Sequence, residues 1–185
     1  MFSVNMSMQS MDEQVLRNIK RANIKLDHMI DVNNHLIEQG RSTKAELIVG
    51  LPGETNESFI DGLNNILNSN SSSVTIYTLM MLNGTEFKNP SYRKKFGYEG
   101  KFRIVPLNFG EYNNERIFDY EEVGVITKDM SFDDYLYLRV IALFVESLHN
   151  GKPFNEFFLY AKHYNIMPAT FLKILYDNIK NSSIN

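Results

Sequence analysis

Glu46 is the residue of this sequence whose chemical type is hardest to explain by packing alone. It lies inside the short apolar run 45–49, which has the composition of a strand buried on both faces. An ionised carboxylate in such a strand is costly unless it has a partner. Glu46 is therefore a candidate site residue.

Several other chemistries have no support in the sequence. The 185 residues include no cysteine, which removes disulfides, thiolate nucleophiles and cysteine-ligated zinc or iron–sulfur clusters. The turn Gly50-Leu-Pro-Gly-Glu-Thr55 lacks the Gly-Lys-Ser/Thr of a triphosphate-binding loop. None of the four histidines has a second histidine or an acid four residues further on, so no metal site is predicted.

The overall composition is that of an ordinary soluble globular chain. Hydrophobic residues make up 43% and charged residues 22%, and the formal net charge is −3. This balance creates no basic field for nucleic acid, and the basic cluster Tyr92-Arg-Lys-Lys95 is most simply a solvated loop. No apolar run approaches about eighteen residues and no signal peptide is recognisable. We therefore expect a cytoplasmic protein without a nucleic-acid or membrane partner.

The elements that must position Glu46 alternate between strands and helices. A strand is predicted up to Met8, and Ser10-Met-Asp-Glu13 is a capping-box pattern that predicts the next helix. A second helix ends near Gly40, a strand covers 45–49, a helix follows the Gly50 turn, and a strand covers 74–82. Helices of this length between strands favour parallel βαβ units, so the fold class is α/β.

The sequence divides into three parts. Residues 1–84 hold the strands and their helices. Residues 85–130 show no clear periodicity, with a basic first half and an acidic second half, and predict an extended charged connection that wraps around the sheet. Residues 131–185 predict a helical C-terminal subdomain, opened by a cap at Ser131 and restarted by Pro168 at a helix N-terminus.

The predicted sheet is unusually small. Three parallel strands leave two open edges and poorly covered faces, which complete domains normally cover or close. One interpretation is a small three-layer domain whose edges are blocked by the C-terminal helices. The other, which we favour, is that further strands of the sheet come from outside this sequence.

Five short motifs, in order and at consistent spacing, resemble those of radical S-adenosylmethionine (SAM) enzymes. They are Ser7-Met-Gln-Ser10, Leu16 with Arg21, Glu46-Leu-Ile-Val-Gly-Leu-Pro-Gly-Glu-Thr55, Val74-Thr-Ile-Tyr77 and Leu82-Asn-Gly-Thr85. The resemblance implies the fourth to sixth strands of that family's partial (β/α)6 barrel. The expected architecture is therefore half of a TIM-type barrel, with three parallel strands followed by the helical subdomain.

A second set of motifs narrows the resemblance. These are Pro90-Ser-Tyr-Arg93, Phe96-Gly97, Phe109-Gly-Glu-Tyr112, Tyr120-Glu-Glu-Val123 and Met130-Ser131. They look like the C-terminal tail of radical SAM proteins that also carry an N-terminal cobalamin-binding domain. The resemblance therefore implies SAM, a [4Fe–4S] cluster and cobalamin as the cofactors of the complete enzyme.

The resemblance also implies a partial SAM pocket in this chain. Its residues would be Gln9, Arg21, Glu46, Gly50, Pro52, Tyr77 and Leu79. The polar side chains would contact the amino-acid and ribose parts of SAM. The guanidinium of Arg21 is suited to the SAM carboxylate. The Gly50–Pro52 backbone and the main chain from Tyr77 to Met80 would line the adenine.

Each polar candidate also has a plain structural explanation. Gln9 could satisfy a turn, and Arg21 could pair with Glu13 or Asp27 on its own surface. Glu46 could be a charge on an edge strand.

The sequence departs from the family in one decisive respect. The three closely spaced cysteines that hold the family's cluster have no counterpart here. Two hypotheses remain. The chain is the C-terminal part of a radical SAM enzyme, completed by a separate chain or a missing N-terminal half that carries the cluster, and acting on an unknown small molecule. Alternatively, it is a non-catalytic binding or interaction module derived from such a barrel.

Overall fold

The computed structural model describes residues 4–182. Three parallel strands, β1 (Val4–Gln9), β2 (Thr43–Val49) and β3 (Ser73–Thr78), form one sheet in the order β1-β2-β3. The predicted three-stranded parallel sheet is confirmed. The predicted first strand began at Met1, and residues 1–3 lie outside the described residues.

Three helices connect the strands: α1 (Glu13–Asn18), α2 (Leu26–Glu38) and α3 (Asn56–Asn68). The cap of α1 differs from the prediction. Asp12, not Ser10, is the N-cap residue, because its carboxylate accepts from the N–H groups of Gln14 and Val15. The Ser10 hydroxyl accepts from Asp12 N–H and donates to Glu54 instead.

Residues 85–130 form a defined substructure rather than a wrapping connection. A 3-10 turn (Glu86–Lys88) and α4 (Pro90–Phe96) precede an antiparallel hairpin of β4 (Glu99–Tyr112) and β5 (Glu115–Ile126). Asn113 and Asn114 close the hairpin with φ angles of 52° and 64°. Two successive positive φ angles are the signature of the tight type I′ turn, which asparagine tolerates.

The C-terminal region is helical. It consists of α5 (Phe132–Phe144), a π-helical turn (Val145–His149), α6 (Asn155–His163) and α7 (Pro168–Asn181). Ser131 and Asp134 form a reciprocal capping box at α5, and Pro168 occupies the first turn of α7. Although α5 is apolar nearly all round, Leu136 and Leu143 remain exposed on its outer side.

The hydrophobic core lies on one face of the parallel sheet. Alternate strand residues, including Met6, Ala45, Leu47, Val49 and Val74, pack with side chains of α2, α3, α5 and α7. A smaller cluster caps the carboxyl ends of the strands, formed by Val15, Leu51, Leu79, Met81, Phe96 and Tyr98. The helices therefore cover one face of the sheet and leave the other largely open.

Candidate functional site: the open face of the parallel sheet

The open face of the sheet is polar. It carries Asn5, Ser7 and Gln9 from β1, Lys44, Glu46 and Ile48 from β2, and Ser73, Thr75 and Tyr77 from β3, all of them partly or fully exposed. Strand register aligns Ser7, Glu46 and Thr75 in one row across the three strands. Parallel sheets are almost always covered on both faces, so this face lacks its usual cover within residues 4–182.

Glu46 lies at the centre of this face. Its carboxylate accepts a 2.7 Å hydrogen bond from the Ser7 hydroxyl, and the Lys44 ammonium is 3.8 Å away. Because β2 is the middle strand of the sheet, Glu46 is not an edge-strand charge. Its side chain points away from the helical layer, as a ligand contact at this position requires.

Arg21 reaches the same place from outside the sheet. Its guanidinium donates to the Ser7 main-chain carbonyl at 3.0 Å. Among the described residues it pairs with neither Glu13 nor Asp27, since Glu13 forms its ion pair with Arg17. Ser7 therefore binds Glu46 through its hydroxyl and Arg21 through its carbonyl.

Gln9 ends β1 in an unusual backbone conformation. Its φ is +65°, and the register with β2 shifts between Ser7 and Gln9. A positive φ is uncommon for a residue with a Cβ and is associated with constrained, often functional, positions. Within residues 4–182 its side-chain amide has no hydrogen-bond partner, so this amide remains available to a ligand.

The carbonyls of Gly50 and Pro52 accept hydrogen bonds from other parts of the fold. The Gly50 carbonyl accepts from the Tyr98 hydroxyl at 2.9 Å, and the Pro52 carbonyl accepts from the Asn18 amide at 2.8 Å. At Gly50, φ is +95° and an added Cβ would lie 3.2 Å from the Gly124 carbonyl oxygen. The glycine is therefore required by the turn and by the close approach of β5.

Tyr77 and Leu79 differ in their availability. Tyr77 lies on the open face with its ring exposed, 5.9 Å from the Lys44 ammonium. Leu79 is buried, its N–H donates to the Val49 carbonyl, and its carbonyl accepts from the Gly124 N–H. The main chain of Leu79 is thus already bound on both sides within the fold.

The structure brings some predicted residues together and separates others. Gln9, Arg21 and Glu46 converge on the end of β1, and Tyr77 lies on the same face two strands away. Gly50, Pro52 and Leu79 lie at the carboxyl ends of the strands, and their carbonyls are bonded within the fold.

Glu54 was not among the predicted site residues, yet it is the most perturbed carboxyl group beside this site. It is 1% exposed, and its Oε1 accepts from the hydroxyls of Ser10 and Ser58, while its Oε2 has no partner among the described residues. Burial raises its pKa from 4.5 to about 7. The sequence offered one signal for Glu54. It is an acid that lies between the turn at Gly53 and the helix cap at Thr55, close to the backbone of both elements.

The described residues offer no cluster or metal site. No group of three or more histidine or acidic side chains within residues 4–182 could hold a metal ion. The chain contains no cysteine, so the thiolate ligands of a [4Fe–4S] cluster cannot come from it. Within the same part of the chain, no helix is long and apolar enough to cross a membrane.

Comparison with known proteins confirms the class of enzyme that the motifs indicate. The homologues are cobalamin-dependent radical SAM methyltransferases, and the match covers part of their length. One is the cobalamin-dependent radical SAM methyltransferase TokK of Streptomyces tokunonensis, 29% identical over 159 residues, covering 82% of this chain and 22% of that protein. Another is the 2-(S-pantetheinyl)-carbapenam-3-carboxylate methyltransferase of Streptantibioticus cattleyicolor, 29% identical over 155 residues with the same two coverages. The chain therefore spans about a fifth of the length of these relatives. No protein-family model matches it.

Two solved structures of radical SAM enzymes also match in part. The coproporphyrinogen III oxidase HemN of Escherichia coli matches 40% of this chain and 17% of that protein, with 29% identity and a TM-score of 0.38. The methyltransferase TsrM of Kitasatospora setae matches 41% of this chain and 15% of that protein, with 17% identity and a TM-score of 0.37. At these TM-scores the overlap adds no argument about the fold.

Proposed function

We propose that this chain is the C-terminal part of a radical SAM enzyme and forms one wall of its SAM pocket, as half of a TIM-type barrel. The observation that carries the proposal is the parallel sheet with one face packed by helices and the other open and polar. A polypeptide outside residues 4–182 supplies the remaining strands and the cluster. The chain is not catalytic alone, because it has no cysteine to ligate that cluster.

In this proposal Gln9 and Glu46 of the open face, together with Arg21 beside it, bind SAM. Arg21 contacts the carboxylate of the amino-acid part, for which a planar guanidinium is suited. Glu46 accepts hydrogen bonds from the ribose hydroxyls, and the free amide of Gln9 contacts the ligand at the rim. Tyr77 provides an aromatic wall two strands away. Ser7 holds Arg21 and Glu46 in place through the hydrogen bonds described above.

The reaction class follows from the relatives as a proposal. Both are named as methyltransferases, and one is named for a carbapenam carboxylate. We extend to this chain only methyl transfer to a small molecule in the cytoplasm, with cobalamin bound by the part of the enzyme outside this chain. Neither the substrate nor the cobalamin is assigned to residues described here.

The second candidate function is a non-catalytic binding module. It is favoured by the absence of cysteine together with the engagement of Gly50, Pro52 and Leu79 inside the fold. In that case the open face would bind a partner or ligand without any SAM cleavage. The two candidates differ in whether a cluster-bearing polypeptide is needed.

The deciding experiment starts from the DNA that precedes this coding sequence. A stretch encoding Cys-x3-Cys-x2-Cys, in the same frame, frameshifted or as a separate gene, is expected. That polypeptide is then produced anaerobically with and without this chain, and SAM cleavage is measured. Cleavage that requires this chain supports the enzymatic proposal, and equal cleavage without it contradicts the proposal. The matched variants are Glu46→Ala and, on the exposed side of α2, Glu38→Ala, of which only the first should lower SAM binding.

A further inference from the structure

The β4–β5 hairpin is amphipathic along most of its length. Cross-strand register pairs Phe102 with Glu122, Ile104 with Tyr120, and Phe109 with Phe118. The apolar members of these pairs share one face, since paired residues and every second residue along a strand point to the same side. They form an aromatic stripe, defined as Phe102, Ile104, Phe109, Phe118 and Tyr120.

The stripe is exposed although its side chains contact one another. Relative exposures range from 52% for Phe118 to 72% for Tyr120. Phe102 lies 5.7 Å from Tyr120 and Phe109 lies 6.3 Å from Phe118, measured between ring centroids. Side chains of this type leave on the order of 500 Å² of apolar surface in water, as large as patches that are commonly functional.

Near the middle of the hairpin, the opposite face is polar and internally paired. Arg103 bonds to Glu121 at 2.5 Å, and the Asn108 amide donates to Asp119 at 3.0 Å. Nearer the turn the same face exposes Tyr112 and Ile117. The two faces therefore differ mainly along the middle of the hairpin.

At its base, the hairpin face that carries the stripe adjoins the open face of the parallel sheet. Met80 forms an antiparallel β-bridge with Val123 of β5. The neighbours of this pair therefore lie on one side of it, with Leu79 opposite Gly124 and Met81 opposite Glu122. Side-chain atoms of Leu79 and Met81 lie 3.4 and 3.3 Å from a Cβ built on Gly124, in agreement with that pairing. Ile48, which lies on the open face, packs against the cluster that contains Leu79 and Met81.

The base of the hairpin is held firmly while the rest projects. Glu122 is buried and bonds to Lys88 and Arg93, and Met81 N–H donates to the Glu122 carbonyl at 2.8 Å. From Phe102 to the turn at Asn113 the hairpin extends by roughly 30 Å at strand spacing. A two-stranded hairpin of this kind is marginal in water by itself, so its apolar face requires a cover.

We infer that the aromatic stripe is the docking surface for the polypeptide that completes the parallel sheet. This inference rests on the proposed function and names where its partner binds. A partner that covers the open face also reaches the adjoining base of the hairpin face that carries the stripe. The chain also spans only about a fifth of the relatives it matches, which leaves ample polypeptide for this contact. A second copy docked stripe to stripe would leave the polar sheet face uncovered.

The test compares two double variants of the same hairpin. Phe109→Thr with Phe118→Thr removes the distal half of the stripe and keeps residues suited to strands. Tyr112→Thr with Ile117→Thr removes a similar apolar area from the opposite face and is the control. Each purified chain is titrated anaerobically with the Cys-x3-Cys-x2-Cys polypeptide encoded beside it, and sedimentation measures the oligomeric state of each chain alone.

The stripe variant should weaken binding at least tenfold, while the control stays within twofold of the wild type. Equal binding by the stripe variant overturns the inference and leaves the proposed function standing. Failure of the wild type to bind at all overturns both. A wild-type dimer that the stripe variant abolishes, without an effect on binding to the cysteine-bearing polypeptide, assigns the surface to a second copy and also overturns the inference.

Discussion

The hydroxyl of Ser7 donates to the carboxylate of Glu46 at 2.7 Å, linking β1 and β2 on the face of the sheet that no helix covers. The carbonyl of the same serine accepts from Arg21. One small residue thus joins a carboxylate and a guanidinium that are far apart in sequence. This arrangement keeps two charged groups of opposite sign close to the end of β1 without a direct ion pair, which leaves both able to bind a ligand.

The isolated chain should bind SAM weakly. Only one wall of the pocket is present and the anchoring cluster is absent, so we expect a Kd on the order of 1 mM or weaker, about 4 kcal/mol or less. Isothermal calorimetry measures this directly. Micromolar affinity for the chain alone would show that its own residues form a complete pocket.

In the enzyme completed by its cysteine-bearing part, Glu46→Ala should weaken SAM binding about tenfold, which corresponds to roughly 1.4 kcal/mol. The reason is the loss of the carboxylate that accepts from the ribose. Equilibrium dialysis compares it with Glu38→Ala, a change on the exposed side of α2 that should have no effect. An equal effect of both changes would show that Glu46 is not a SAM-binding residue.

Glu54 should make stability depend on pH. Its pKa is raised by burial to about 7 in the folded chain against 4.5 when unfolded, so the folded state binds more protons in this window. The contribution of Glu54 to the free energy of unfolding should therefore be fully present below pH 4.5 and should fall as the pH rises through 7. The total loss is about 3 kcal/mol by linkage.

The measurement is urea unfolding between pH 4.5 and 8, for the wild type and for Glu54→Gln. The variant should lose most of the decline, while Glu57→Gln, an exposed acid in the first turn of α3, should keep it. A slope that is the same in all three proteins would show that another group causes the dependence.

Reconstitution with iron and sulfide should leave this chain colourless and unable to cleave SAM. It has no cysteine thiolate to bind the iron. Iron analysis and electron paramagnetic resonance after reduction test the expectation. Stoichiometric iron with a cluster-type signal in the isolated chain would refute it.

Glu122 should be important for the stability of the hairpin base. Burial raises its pKa, but hydrogen bonds from Lys88 and Arg93 outweigh this effect and hold the pKa below the usual value. Glu122→Gln leaves both cations without their carboxylate, and the cost should be about 2 kcal/mol. Chemical unfolding measures it against Glu115→Gln at the exposed turn, and equal stabilities would contradict the assignment.

Much of the fold was predictable from local patterns. Hydrophobic alternation identified the first parallel strand and short apolar runs identified the other two, while periodicity together with Ser131 and Pro168 identified the main helices. The cap of α1 was misplaced, because Ser10 and Asp12 are both good capping residues and only the contact of Ser10 with Glu54 distinguishes them. The hairpin was missed although Asn113-Asn114 is a turn signal, since its apolar face is interrupted by an irregular register between Ile104 and Phe109.

The sequence by itself determined the class of relatives, the absence of cysteine from these 185 residues and the presence of a carboxylate inside a strand. These are properties of residue type and spacing, which need no coordinates. Tertiary structure alone decided that Arg21 and Glu46 meet at Ser7, that the backbone of Leu79 is already bound, and that Glu54 is buried. It also decided that Phe109 and Phe118 are paired across the hairpin, because strand register and packing between distant segments determine which side chains meet.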